Sequence, residues 1–551
     1  MARPLPKGIQ DFRKLRKGAY LYVDKTDMIS QILMDSAEVH LYTRPRRFGK
    51  SLNLSMLDAF FNIEYKDDNP YFEGLKVSKD GECLKHMNAS PVVFFDFKTL
   101  GVGSKYTFES DLKDEFSRLY RRYGYLLESD NLDAQEKKYI SEVMDGIVEP
   151  IRLRKALLNL TECLHKHHGI PVIVLLDEYD NPIHNSYGKP HFDEILSYMR
   201  DMLSFALKNK ESHLKFGVIT GVMQIAKESI FSGLNNITVN NILSRDFDEV
   251  FGFTSDEVMS ILSEYGYQDS FDVAREWYDG YRFGNSEIYN PWSVLEFVSN
   301  RCTPKSYWAG TSGNDILGDL ITGAISGLQD DLDILAEGGP IPHEIQESIT
   351  LQDLGSEEGD VYSVMVMSGY LTTGVNKYGT PTVSIPNQEI ARELGKMILR
   401  RRNMSAPTHV GALGDSLIKG DLDAIGHSLY ELFASSAGTA MLNDEHSYQA
   451  YITGLLMHLF GRYEVKADFE EGNGRYDIRM KRRYGAFPNV VIELKRTPTD
   501  ASDAKAESDA GQALQQIKDR DYTHGMTGRT LLYGISFRNK MPLIVFEEIT
   551  L

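Results

Sequence analysis

The segment Arg44-Pro-Arg-Arg-Phe-Gly-Lys-Ser51 constrains this chain most. It follows a short apolar strand candidate, His40–Thr43, and opens a helical run from Ser51 to Phe61. A strand that turns sharply into a helix aims backbone N–H groups and the positive end of the helix dipole at one point. A lysine and a hydroxyl at the end of that turn suit the point to a phosphate and its magnesium ion. Gly49, Lys50 and Ser51 fill the last three positions of the GxxxxGK[ST] pattern, but Arg44 stands where its first glycine belongs. A side chain there is expected to strain the loop, so nucleotide binding is the firmer expectation and hydrolysis the weaker one. Arg46 and Arg47 either bring charge to the phosphates or are simply solvated.

A second element supports the same reading. Val172-Ile-Val-Leu-Leu is a continuous apolar run that ends in Asp177-Glu178. At such a site an aspartate at the strand end holds magnesium, and the adjacent glutamate polarises the attacking water. The strand Phe216-Gly-Val-Ile-Thr220 ends in a hydroxyl suited to sensing the γ-phosphate. Pro91–Phe97 and Leu214–Thr220 are further buried-strand runs, and Asp193–Asn209 has helical period, so the first part reads as α/β with a parallel sheet. From about Phe251 helical segments alternate with turns, and Val361–Leu371 reads as helical or winged-helix-like.

At 551 residues the chain is long enough for two or three domains. Its three cysteines, Cys83, Cys163 and Cys302, exclude a disulfide framework and a four-thiolate zinc site. No apolar run reaches the roughly 18 residues of a membrane span, so the expected location is cytoplasmic, with no membrane partner. A net charge of −19 excludes a whole-chain basic footprint. Between Arg475 and Arg496, however, seven cations face two carboxylates, an island fit for phosphate contact or for a solvated hairpin.

That island holds the second chemistry. Arg475–Lys481 and Val490–Lys495 read as two strands of a hairpin around a six-residue turn. Folding it about residue 486 sets Asp477 opposite Lys495, and alternation puts Glu493 and Lys495 on one face. Two carboxylates there repel unless a cation lies between them, and Mg2+ prefers such oxygen ligands. A helix over Asp444–Phe460 is expected before the hairpin; a helix near Gln512–Arg520 and strands Thr530–Ser536 and Leu543–Glu548 are expected after it.

Leu5–Phe12 (LPKGIQDF), Tyr22–Thr26 (YVDKT), Arg44–Ser51, Leu176–Asp180 (LDEYD), Lys227–Asn235 (KESIFSGLN) and Tyr278–Gly284 (YDGYRFG) resemble the bacterial and archaeal AAA-ATPase-like family, whose members carry a C-terminal PD-(D/E)XK nuclease-like domain. The resemblance spans nearly the whole chain. It implies a P-loop NTPase-like α/β domain over 1–250, a helical or winged middle region over 251–410 and a small α/β nuclease-like domain over 411–551. It also implies that Arg44 follows the family's own pattern. Carried over by residue, Asp477 and Glu493 ligate Mg2+, and Lys495 orients water or stabilises phosphorane charge. Glu445 matches an extra acidic metal ligand, and Gln516 matches a helix glutamine beside the site. The expected cofactors are thus ATP, held by Arg47, Gly49, Lys50, Ser51, Asp177 and Thr220 with Glu178 catalytic, and Mg2+ at Ser51 and Asp177 and again at the C-terminal carboxylates. The expected partner is nucleic acid, DNA before RNA, with a homo-oligomer left open. The rival expectation is an ATP-dependent switch whose C-terminal domain binds without cleaving.

Other signals have blander readings. His165, His167 and His168 suit a helix C-terminus better than zinc. Trp277, Tyr278, Tyr281 and Phe283 suit core packing, and Tyr289–Trp292 suits a turn.

Overall fold

The computed structural model describes residues 2–208, 213–224, 231, 236–308, 331, 334–335, 339–347, 361–401, 407–436, 448–449, 452–453, 456, 459, 463–471, 474–483 and 487–551. They divide into two compact units, one of residues 1–324 with 342–383, the other of 384–551 with 325–341.

Five parallel strands build the first unit: β1 (Val39–Thr43), β2 (Val92–Asp96), β3 (Val172–Asp177), β4 (Leu214–Gly221) and β5 (Ile237–Asn240), in the order β2-β3-β4-β1-β5. Every residue of β1 and β3 is buried, which is why their sequences are continuously apolar rather than alternating. Helices α1 (Lys50–Phe61), α2 (Ala156–His168) and α3 (Phe192–Leu207) bring largely apolar faces to this layer. Gly169 ends α2 in the left-handed conformation, and His167 and His168 meet Ser129 and Tyr125 at 2.8 and 3.0 Å, so the histidine cluster is a helix terminus. Because all five strands are parallel, their carboxyl ends share one edge. From β1 the chain leaves for β2 at the far edge, while β5 lies on the other side of β1. Such a switch point opens a crevice where ligands bind.

The sheet does not end its unit near residue 250. Phe253, Val258, Trp277, Tyr278, Tyr289 and Phe297 form a core with Leu21, against which Leu5 and Val23 pack. The helical stretch and the chain's first residues therefore fold with the sheet. The short hairpin β6 (Tyr281–Phe283) and β7 (Ser286–Ile288) and helix α4 (Pro291–Ser299) belong here, and Trp277, Tyr278, Tyr281 and Phe283 are buried in it. Helix Val361–Ser368 runs into strands Thr372–Val375 and Pro381–Ser384, a helix followed by a wing.

The second unit carries β8 (Tyr463–Glu471), β9 (Gly474–Arg482), β10 (Asn489–Thr497), β11 (Arg529–Arg538) and β12 (Met541–Thr550), adjacent in chain order. Only β10 and β11 are parallel, and α5 (Asp503–Asp519) makes their crossover. It starts nine residues before the expected Gln512, capped by the Ser502 hydroxyl on the Lys505 N–H. Its first half buries only Ala506, Asp509 and Ala510, too small an apolar signal to read from the sequence. One sheet face packs Ile478, Met480, Val490, Ile492 and Leu494 into a large core; the other packs Tyr476, Val491 and Leu532 beneath Leu514 and Ile517 of α5.

Candidate functional site

In the first unit, Arg44 is fully buried beneath the loop it opens. Its guanidinium donates to the carbonyls of Thr43 (2.9 Å), Asn240 (2.7 Å) and Phe247 (3.1 Å) and lies over the rings of Phe251 and Phe283. Burial lowers its pKa to about 10. The strain expected at Arg44 is absent: left-handed backbone falls instead at Arg47 (φ 72°) and Gly49 (φ 86°). Arg44 thus ties β1 to β5 where a glycine would leave a void.

Lys50 opens α1, and its ammonium donates to the carbonyls of Arg44 (2.8 Å) and Pro45 (2.9 Å), so the loop curls around one buried cation. Burial lowers the Lys50 pKa, opposed by the charges of Glu178, Asp180 and Asp177. No side chain caps the helix start at Gly49, which leaves the first-turn N–H groups to a ligand. Donor-rich backbone, a central ammonium and the half-buried Ser51 hydroxyl are the complement of a phosphate chain with its magnesium ion.

Across the crevice, Asp177 is buried at the end of β3, and its carboxylate accepts the Thr220 hydroxyl. Thr220 is itself fully buried and also receives the Glu178 N–H at 3.4 Å. Its hydroxyl therefore orients the Asp177–Glu178 corner and does not line the cavity. The next residue must be glycine: a Cβ at Gly221 would stand 2.6 Å from the Tyr179 ring. Glu178 sits at φ 52°, an uncommon conformation that turns the chain sharply off the strand. Burial raises its pKa, against the pull of Lys98, whose ammonium is 3.8 Å away, and of Lys50. Asp180 is buried and accepts the Val222 and Met223 N–H groups at 2.6 and 3.0 Å. Asp96, in register with Asp177, is pushed by burial to about 6.

Of these groups, Lys50, Ser51, Lys98, Glu178 and Asp180 line a cavity of about 360 Å³, within the size range of small-molecule sites; Arg44, Asp96, Asp177 and Thr220 are not among its lining residues. Lys50, Ser51, Lys98 and Glu178 make its polar end. Ile9, Leu21, Val23, Phe253, Trp292 and Leu295 give it apolar wall. The sequence did not reveal Trp292, since Tyr289–Trp292 reads as turn chemistry. That reading holds for Asn290, whose side chain caps α4 by accepting the Ser293 N–H, but the tryptophan beside it reaches the cavity. The Arg47 guanidinium lies 4.4 Å over the Trp292 ring. Lys98 was also missed; its one sequence signal is its position just after the end of an apolar strand. The YVDKT segment gives the cavity Tyr22, Val23 and Lys25, and Lys25 is fixed there by donating to Glu257 and to the Glu249 carbonyl. Most of Lys227–Asn235 lies outside the described residues.

In the second unit the hairpin pairs Met480 with Val490 and Ile478 with Ile492, a register that sets Asp477 opposite Glu493 rather than Lys495. The expected pairing was two residues off, which leaves the same face in play. Ile478 packs in one core and Tyr476, two residues earlier, in the core of the opposite face, so β9 turns over at Asp477. The pairing with β8 keeps one register on either side of it, Tyr476 with Phe469 and Ile478 with Ala467, so β9 changes face here without an inserted residue. Here Asp477 accepts the Leu494 N–H at 2.7 Å, while its own N–H donates to Glu493 at 3.3 Å. Glu493 is almost fully buried; its other oxygen accepts from the Gln516 amide and lies 3.7 Å from the Lys495 ammonium. Gln516 also donates to the Tyr522 hydroxyl at 3.2 Å. Asp477, Glu493, Lys495 and Gln516 therefore converge. Carboxylates at facing strand positions, with the Lys495 ammonium 3.7 Å from one of them, suit a divalent cation. Among the described residues no cluster of three metal-ligating side chains occurs, and Glu445, the expected further ligand, lies outside them.

A nucleotide crevice at a parallel-sheet switch point in one unit, and an Asp…Glu-x-Lys hairpin under a helix in the other, define a P-loop ATPase-like domain joined to a nuclease-like domain. Residues 6–231 match the AAA-ATPase-like family model, described as a predicted AAA-ATPase, and residues 443–547 match the PD-(D/E)XK nuclease superfamily. The chain therefore carries an AAA-ATPase-like domain and a PD-(D/E)XK nuclease superfamily domain. A relative from Azotobacter chroococcum mcd 1, described as an uncharacterized protein in the vnfD 5′ region, is 28% identical over 565 residues, covering 98% of each chain. A structure of the Aeropyrum pernix ORC2 protein in ADPNP–ADP complexes aligns over 71% of this chain and 92% of its own at 10% identity, with a TM-score of 0.22. Among the described residues no helix is long and apolar enough to cross a membrane.

Proposed function

We propose that the first unit binds ATP with Mg2+ and that the second hydrolyses phosphodiester bonds of nucleic acid, DNA before RNA, with Mg2+. The observation that carries the nuclease half is the convergence of Asp477, Glu493, Lys495 and Gln516 where β9 changes face. Mg2+ held there by Asp477 and Glu493 would supply Lewis-acid stabilisation of the phosphoryl oxygens. Lys495 orients the attacking water or meets developing negative charge, and Gln516 fixes the Glu493 carboxylate. In the first unit Lys50 and the α1 amides hold phosphate, Ser51 and Asp177 serve the metal, and Glu178, with its pKa raised by burial, takes the proton of the attacking water. ATP binding then controls exposure of the nuclease site.

The test is cleavage of circular duplex and single-stranded DNA with Mg2+ or Mn2+, with and without ATP, against Glu493→Ala. Metal-dependent cutting lost in the variant is the expected result. A wild type that binds but cuts neither DNA nor RNA would leave the ATP-dependent binding switch. One observation favours that rival: both Glu493 oxygens already accept bonds from protein donors.

A further inference from the structure

Beside the carboxylate site, the second unit encloses a separate cavity of about 110 Å³, lined by Glu464, Lys466, Arg479 and Lys481. These four residues form two cross-strand pairs, Glu464 with Lys481 and Lys466 with Arg479, side by side on β8 and β9. Three cations face one carboxylate, which lies 3.3 Å from the Lys466 ammonium. Arg479 is the firmest part: only 4% exposed, it is anchored by donating to the His524 carbonyl. Cations gathered around so small a volume repel one another, and an anion between them removes that repulsion. The volume equals a few waters, the scale of one tetrahedral oxyanion with part of its hydration shell.

We propose that this cavity is an oxyanion site that takes a backbone phosphate of the nucleic acid. Its ligand source rests on the nuclease reading above; its anion chemistry does not. Arg479 pairs with Val491, which lies on the α5 face of the sheet, and Glu493 follows Val491 by two residues on that same face. The cavity thus opens onto the face that holds the carboxylates. Arg479 stands two residues, about 7 Å, along β9 from Asp477. That is roughly the axial rise of two nucleotides of one strand. A phosphate held here would fix the strand's register while a neighbouring phosphate meets the metal site.

The test uses the full chain with Lys466→Ala, Lys481→Ala and the double variant, all at partly exposed positions, and Lys505→Ala as a lysine outside the cavity. In one arm, inorganic phosphate is titrated against thermal melting. Phosphate should stabilise wild type and Lys505→Ala but not the double variant. Glu464→Gln, which removes the one negative lining charge, should tighten phosphate binding several-fold. In the other arm, duplex binding is followed across salt concentration in a Glu493→Gln background. The double variant should bind about tenfold more weakly, with a salt slope smaller by roughly 0.9, the signature of one lost phosphate contact. Phosphate stabilisation without any change in duplex binding would assign the site to a free oxyanion and overturn the backbone source. No phosphate effect in wild type or Glu464→Gln would overturn the site altogether. Neither readout depends on cleavage, so a chain that binds here but never cuts would fail the nuclease reading alone.

Discussion

At the scale of single residues, Arg44 stands where the phosphate-loop pattern has glycine, and in the fold it is a buried strut whose guanidinium serves three backbone carbonyls. Restoring the pattern's glycine should therefore harm the protein. Arg44→Gly is expected to lower stability by about 3 kcal/mol, read from denaturant unfolding, because a charged buried donor is lost and its acceptors stay buried. An unchanged midpoint would show that the loop needs no strut. Asp96 makes a second residue-scale prediction. Its folded pKa of about 6 lies above the unfolded value near 3.9, so the folded state binds the proton more tightly. The carboxyl costs nothing below about pH 4, and the cost grows as pH rises and is complete above about pH 6. In metal-free and nucleotide-free buffer, Asp96→Asn should be more stable than wild type by about 2 kcal/mol at pH 7 and equal to it at pH 4. Equal stability at both pH values would mean Asp96 is not perturbed. Unfolding curves at the two pH values measure it.

At the scale of elements, the C-terminal site depends on how closely α5 lies on the sheet. Gly534 of β11 stands in register with Glu493, and a Cβ there would clash with the Ala510 carbonyl and stand 2.5 Å from the Leu514 nitrogen. With no side chain at 534, the helix sits low enough for Gln516 to reach Glu493. Gly534→Ala should cost about 1–3 kcal/mol through overpacking. It should also lower cleavage about a hundredfold if the helix shifts by about 1 Å, with ATP binding unchanged. Wild-type cleavage in a folded variant would remove the helix from the mechanism. Most of the apolar strands, the phosphate loop and the Asp…Glu-x-Lys spacing were legible in the sequence, because apolar runs and motif spacing are local signals; the order of the strands in each sheet was not. Nor was the hairpin register, since a shift of two residues keeps every side chain on its face, and the apolar pattern is the same in both pairings. Trp292 was hidden for a related reason: a helix start and a cavity wall use the same short sequence, and only the tertiary path of residues 5–23 makes it a wall.

At the scale of the whole molecule, the two candidate sites sit in separate units, each with its own core. A chain with a net charge of −19 repels nucleic acid at long range, so binding of the kind proposed above would draw on the local cations of the second unit. If ATP controls that binding, the control is a coupling free energy between two sites, and coupling is reciprocal. Whatever factor ATP applies to the affinity for duplex DNA, DNA must apply to the affinity for ATP. We expect a factor within the range of roughly 5–150 usual for such linkage. It is measured in Glu493→Gln, where the duplex stays intact, by titrating ATP with and without saturating DNA and then DNA with and without saturating ATP. The two ratios must agree for any coupling to be real, and Lys50→Ala should reduce both to one. Agreement above one makes the phosphate loop a controller of the nuclease unit. Ratios of one in wild type would mean that the units act independently on one chain, and ATP would then serve the first unit alone.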